Sequence, residues 1–92
     1  MADNSIFIGM KPFMNYVTAV VMQFTTKKTD EVIIKARGKL ISRAVDVAQV
    51  AAKRFLDGQV DIGDVKIDSE EFENKEGKQV RVSTIEILLA KK

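Results

Sequence analysis

The chain has 92 residues, 46% hydrophobic and 30% charged, with a formal net charge of +2; this is the composition of one folded domain with a modest core, and it excludes a disordered chain. There is no histidine and no cysteine, which removes disulfides, imidazole and thiolate catalysis and ordinary zinc sites, and leaves an enzyme only carboxylate or lysine chemistry. No segment reaches the roughly 20 apolar residues of a membrane span, and MADNSIFIGMK lacks the order of a secretory signal, so a cytoplasmic protein without membrane contact is expected.

The charge is unevenly spread. Residues 1–56 carry nine Lys/Arg against four acids, whereas residues 57–92 carry six against nine. Such asymmetry predicts a basic surface on one part of the fold, a weak signal for a polyanionic partner.

In chain order, SIFI (5–8) predicts a short strand closed by Gly9. Pro12 suits the first turn of a helix, where its missing N–H costs nothing. Phe13, Val17, Val20, Val21 and Phe24 then recur at helical spacing. Thr25 to Lys28 is a polar exit. EVIIKA (31–36) is a β-branched, nearly continuous apolar run, which suits a central strand covered on both faces. A second helix is expected from Gly38 to about Phe55. Its apolar positions, from Leu40 to Leu56, cover about half the circumference, more than the stripe of about 100° that a surface helix needs. Two readings of that surplus stand: a second subunit packs on one flank, or the helix is deeply buried.

Asp57-Gly58 ends the helix. QVDIGDVKID (59–68) and VRVSTIEILLA (80–90) read as a long hairpin with its loop around NKEGK (74–78). In both strands the alternation of apolar residues slips by one, near Gly63 and between Val82 and Ile85. Paired slips predict a bulge in each strand, and an arm that bends and projects beyond the core. The order βαβαββ gives an α/β (α+β sandwich) fold class: two helices packed on a four-stranded mixed sheet with a long projecting β-hairpin, all in one domain over residues 1–92.

Two segments carry chemistry. In KARGK (35–39) a strand ends at Gly38 between Arg37 and Lys39, just before a helix. Backbone amides and the positive end of the helix dipole favour phosphate there, and the cations add a guanidinium fork and an ammonium; the alternative is a solvated turn. GMKP (9–12) places Lys11 in the same position before the first helix. If the two strands are parallel neighbours, Lys11, Arg37 and Lys39 converge at one end of the sheet. Neither loop has the spacing of a Walker phosphate loop, so nucleotide hydrolysis is not expected. Asn15 and Tyr16 follow Pro12, where they either touch a ligand or form a surface polar residue and a partly buried aromatic. Arg43 and Arg54 share a helix flank and serve phosphate or subunit contact. Lys75, Lys78 and Arg81 would act from the hairpin, against the repulsion of Asp68, Glu70, Glu71, Glu73 and Glu76. Those acids lack the spacing of a calcium loop, and neither metal nor cofactor is expected.

GMKPFMNYV, EVIIKARGKLISRAVDVAQVAAKRFL and RVSTIEILLAKK together resemble the Alba family of small chromatin and RNA-binding proteins, typical of archaea. The likeness runs from about Ile6 to Lys92 in the same order and spacing. It implies a dimer formed through the second helix and last strands. A basic body would lie over the nucleic-acid backbone, with two hairpin arms along the minor groove and little dependence on base sequence. By resemblance, Lys11 is a lysine of the first loop, Arg37, Gly38 and Lys39 form the second loop, and Arg81 is a hairpin contact. Phe55 matches a phenylalanine joining adjacent dimers along the duplex; as a bare residue it reads equally as core. Many members carry G-K-K-P, with the first lysine acetylated; here Met10 holds that position, and Lys11 alone is open to acetylation. With the acidic hairpin, this departure implies weaker or more selective binding, or a place in a mixed dimer with a paralogue. The resulting expectation is a non-enzymatic, chromosome-associated protein that coats or compacts double-stranded DNA and binds RNA. An RNA-binding subunit of a ribonucleoprotein is the alternative, and a small-ligand regulatory module is a third reading from another class.

Overall fold

The computed structural model describes residues 4–92. The chain alternates strand and helix, then closes with two long strands: β1 (Ser5–Phe7), α1 (Phe13–Thr25), β2 (Glu31–Arg37), α2 (Ile41–Val50), β3 (Val60–Glu73) and β4 (Gln79–Lys91). A single 3₁₀ turn, Gly38–Leu40, precedes α2, and a π-helical turn, Ala51–Phe55, extends it. The sheet order is β1-β2-β4-β3. β1 and β2 are parallel, with Phe7 beside Lys35, whereas β4 runs antiparallel to both β2 and β3. The mixed sheet with two helices on one face is therefore the architecture that the order of elements predicts.

Alternation along β2 decides which face the helices take. Val32, Ile34 and Ala36 are buried, together with Ile85, Ile87 and Leu89 of β4, and they meet Tyr16, Val17, Val20 and Phe24 of α1 and Ala44, Val47 and Ala48 of α2. Strand side chains alternate between faces, so Ile33, Lys35 and Arg37 lie on the far side, where Ile33 and Lys35 are half-buried and Arg37 is exposed. β2 is central, as expected, but only one of its faces is covered. This corrects the two-sided burial that its apolar run suggested.

The hairpin differs from expectation at one of its two irregularities. In β3, Ile62 pairs with Leu89 and Val65 with Ile87, so Gly63 and Asp64 together oppose Leu88 in a bulge. β4 has no counterpart. Its pairing is continuous with β2 from Thr84 to Ala90 and with β3 from Gln79 to Ile87. The slip in its apolar pattern has another cause: the helices cover β4 only from Ile85 onward, and Val80 and Val82 sit on the opposite face. There Phe72 is the direct cross-strand partner of Val80.

The arm is longer than the sequence pattern suggests, because β3 continues to Glu73. From Ser69 and Ser83 outward, the two strands pair only with each other. The molecule is correspondingly elongated, 47 × 26 × 25 Å. At the tip, the Asn74 side-chain oxygen accepts the amides of Glu76 (2.9 Å) and Lys78 (3.0 Å), and Gly77 takes the left-handed conformation, φ 80°. These bonds hold the turn in one shape.

Candidate nucleic-acid interface

Parallel pairing of β1 with β2 brings the two strand-to-helix loops to the same end of the sheet. The amide of Ile8 donates to the Lys35 oxygen at 2.9 Å, carrying the pairing to the edge of the first loop. Antiparallel pairing of β4 places Thr84 opposite Arg37, so the free part of the hairpin leaves from that end as well. Lys11, Arg37, Lys39 and the arm are thus assembled on one side of the molecule by strand direction alone.

The first loop is held from two sides. The Tyr16 hydroxyl, on the first turn of α1, accepts the amides of Gly9 (3.0 Å) and Lys11 (3.1 Å). Arg43 Nη2 donates to the Lys11 main-chain oxygen at 2.6 Å, and the same guanidinium lies 5.9 Å from the Tyr16 ring centroid. Tyr16 is buried. Its hydroxyl is taken by the two loop amides, and Arg43 gives Nη2 to the loop while its Nε is buried without a hydrogen-bond partner among the described residues. Tyr16 thus takes the buried position that the sequence pattern offered beside ligand contact, and with Arg43 it shapes the loop. The Lys11 and Asn15 side chains are exposed beside them. Met10, at the first lysine position of the G-K-K-P pattern, is 84% exposed.

The second loop turns at Gly38, whose φ of 56° lies in the left-handed region. A Cβ there would come within 3.3 Å of the Val82 side chain at the base of the arm. Neither the 3₁₀ turn nor α2 has a side-chain cap or an acidic residue in its first turn, so the positive end of this helix lies beside Lys39 without a side-chain acceptor. Arg37 does not stand free. Its Nη2 is 3.0 Å from Glu70 Oε2 on β3, and its guanidinium lies 5.8 Å from the Phe72 ring centroid. Arg81 on β4 pairs with its cross-strand neighbour Glu71 through both Nε (3.1 Å) and Nη2. By strand alternation the two arginines occupy opposite faces of the sheet. Lys78 sits exposed at the tip. The sequence pattern missed these partnerships because each depends on hairpin register.

Two further features lie away from this end. Phe55 is 50% exposed while the next residue, Leu56, is buried. The π turn, closed by Leu56 N–H to the Ala51 oxygen at 2.9 Å, rotates Phe55 outward and rules out the core reading. On the helix side of the sheet, a shallow apolar depression runs between α2 and the hairpin, lined by Val45, Ala48, Ile62, Val65, Ile85 and Ile87. Val65 and Ile67 at its edge are 51% and 79% exposed. Among the described residues, no helix is long and apolar enough to cross a membrane, and no group of three acidic, His or Cys side chains is placed to hold a metal ion.

A two-layer βαβαββ domain with two basic loops and a projecting arm at one end is a recognisable class. The Alba family model matches residues 4–69. The chain is 62% identical over 88 residues to the DNA/RNA-binding protein Alba of Nanoarchaeum equitans, covering 95% of this chain and 97% of that protein. It is 56% identical over 92 residues to DNA/RNA-binding protein Alba 1 of Archaeoglobus fulgidus, covering the whole of both. Among solved structures, Alba from Thermoplasma volcanium superposes with a TM-score of 0.85 at 45% identity, covering 95% of this chain and 99% of that one. The chain belongs to the Alba family.

Proposed function

We propose that this chain is a dimeric, non-enzymatic nucleic-acid-binding protein that coats or compacts chromosomal DNA in the cytoplasm and binds RNA as well. The supporting observation is the common placement of Lys11, Arg37, Lys39 and the hairpin arm at one end of the sheet, in a chain 62% identical to a DNA/RNA-binding protein. Lys11 and Lys39 meet phosphates as point charges, and Arg37 meets them as a fork. Asn15 adds a contact from the first turn of α1, and the amides at Gly38 approach the backbone closely. Tyr16 and Arg43 hold the first loop in the shape that presents Lys11. Lys78 and Arg81 act from the arm. The cations converge from two loops and a strand arm rather than along one helix, so affinity comes from phosphate neutralisation and discrimination between sequences is small.

The apolar depression beside α2 is the dimer face in this reading. A second copy would cover Val65 and Ile67 and set two arms on one duplex; a paralogue with the same face would form a mixed dimer. Phe55, outside that face, joins neighbouring dimers. Lys11 is exposed and so open to acetylation, which would remove one cation from the loop.

Fluorescence anisotropy on two unrelated DNA duplexes and a matched RNA duplex, across a salt series, tests this. The two DNA affinities are expected to agree within a few-fold, and log K to fall linearly with log salt. Lys11→Ala should weaken all duplexes alike and flatten the slope, and Arg37→Ala should weaken them alike. Absence of binding at low salt, or a loss confined to one sequence, contradicts the proposal. The RNA-to-DNA ratio separates chromosome coating from a ribonucleoprotein role.

A further inference from the structure

We infer that Glu70 and Glu71 are built-in competitors of phosphate: each holds one interface arginine in the free protein, so that binding exchanges a carboxylate for a phosphate. The inference rests on the nucleic-acid reading above and names the residues that set its strength.

The two acids are consecutive on β3, so their side chains point to opposite faces of the sheet. Each finds the arginine of its own face. Glu71 lies directly opposite Arg81 and takes its guanidinium through two donors. Glu70 takes Arg37 from across β4, at 3.0 Å, with Phe72 two residues further along β3 beneath the same guanidinium. Lys92 with Asp61 is the remaining ion pair among the described residues, and it lies at the other end of β3. Lys11, Lys39 and Lys78 make no ion pair among the described residues. The acids therefore act on the interface's two arginines and leave its lysines alone.

Both pairs are well exposed, with Arg37 and Glu70 at 57% and 56%, so each is weak and screened by salt. Weak pairs are suited to competition. A phosphate can displace the carboxylate, while Phe72 keeps the Arg37 guanidinium at the base of the arm. The ionic balance then changes. A lysine that meets a phosphate releases a cation from the nucleic acid. An arginine that leaves a glutamate also uncovers a carboxylate, which draws a cation back. The salt slope is accordingly shallower than the number of phosphate contacts alone would give.

The test compares the full-length wild type with Glu70→Gln, Glu71→Gln and the double variant, on one short DNA duplex across a salt series. Glu73→Gln serves as control: it removes the same charge from the same strand, but Glu73 has no ion pair among the described residues. Thermal unfolding and circular dichroism verify that each variant is folded. Each of Glu70→Gln and Glu71→Gln is expected to bind about two- to five-fold tighter, and to steepen the slope by up to about 0.9, with the effects adding in the double variant. Glu73→Gln should leave the slope unchanged. Equal slopes in wild type and double variant, or a control as effective as Glu71→Gln, would overturn the inference while leaving the nucleic-acid reading intact. If neither wild type nor double variant binds at low salt, the nucleic-acid reading falls and the inference with it. Binding by the double variant alone would support the inference in its strongest form.

Discussion

Arg43 donates a 2.6 Å hydrogen bond to the main-chain oxygen of Lys11, joining α2 to the loop before α1 across 32 positions of sequence. Tyr16 completes the hold by accepting two amides of the same loop. The position of the Lys11 backbone is therefore fixed by the core, although its side chain is in solvent. A mobile ammonium on a fixed base forfeits less entropy on binding than one on a mobile loop.

Tyr16→Phe should show this directly. It keeps the ring but leaves the part-buried amides of Gly9 and Lys11 without their acceptor, a loss of about 1–3 kcal/mol. Chemical denaturation is expected to give a lower midpoint at unchanged m-value. Affinity for unrelated duplexes should fall together, since the hydroxyl holds the loop that carries Lys11. Wild-type stability in this variant would mean that solvent replaces the hydroxyl without cost.

Gly38→Ala combines two penalties. The backbone sits at φ 56°, where an L side chain costs about 1–2 kcal/mol, and the new Cβ would lie 3.3 Å from the Val82 side chain. The midpoint of thermal unfolding should drop. For a domain near this size, about 1 kcal/mol corresponds to roughly 4–8 °C.

Val65→Asp and Ile67→Asp bring charge to exposed positions, so neither should unfold the monomer. On the proposed dimer face they should convert a dimer to a monomer in sedimentation velocity, with the far-ultraviolet circular dichroism retained. Duplex affinity should then drop at least ten-fold, because one protomer loses the second one's contacts. A variant that remains dimeric would place the interface elsewhere.

Phe55→Ala removes a half-exposed ring that the π turn has already taken out of the core. Stability should change by less than about 1 kcal/mol. Affinity for a duplex just long enough for one dimer should be unchanged, while cooperative filling of a long duplex, read by mobility shift, should weaken.

Periodicity made the framework legible. Apolar residues at strand and helical spacing located four strands and two helices in the right succession, but β3 runs on to Glu73 beyond the apolar pattern, and the strand order β1-β2-β4-β3 emerges only from the pairing. The convergence of Lys11, Arg37 and Lys39 at one end of the sheet was legible as a condition on parallel neighbouring strands, and β1 and β2 meet that condition. The partners of Arg37, Arg43 and Arg81 were not legible. Each pairing depends on cross-strand register or on helix placement, and no local pattern encodes that Glu71 faces Arg81 or that Arg43 reaches Lys11. The slip in β4 misled for a related reason: alternation records which face is covered, and here coverage passes from one face to the other without any break in the strand. Phe55 was ambiguous because a π turn shifts the angular position of every later residue, and no residue type announces it.

β3 also bounds the sheet along its whole length, leaving one row of amides and carbonyls open to any neighbouring strand. Fourteen residues of unprotected edge would invite a second chain to continue the sheet, and a nucleic acid that gathers many copies would hasten that error. Along β3 six acids stand against one cation, Lys66, and Asp64, Asp68 and Glu73 make no ion pair among the described residues, so two β3 edges brought side by side repel each other. Crowding on a polyanion can then concentrate the protein without fusing its sheets. Substitutions that neutralise these acids to strengthen binding would also bring the chain closer to fibrous self-association.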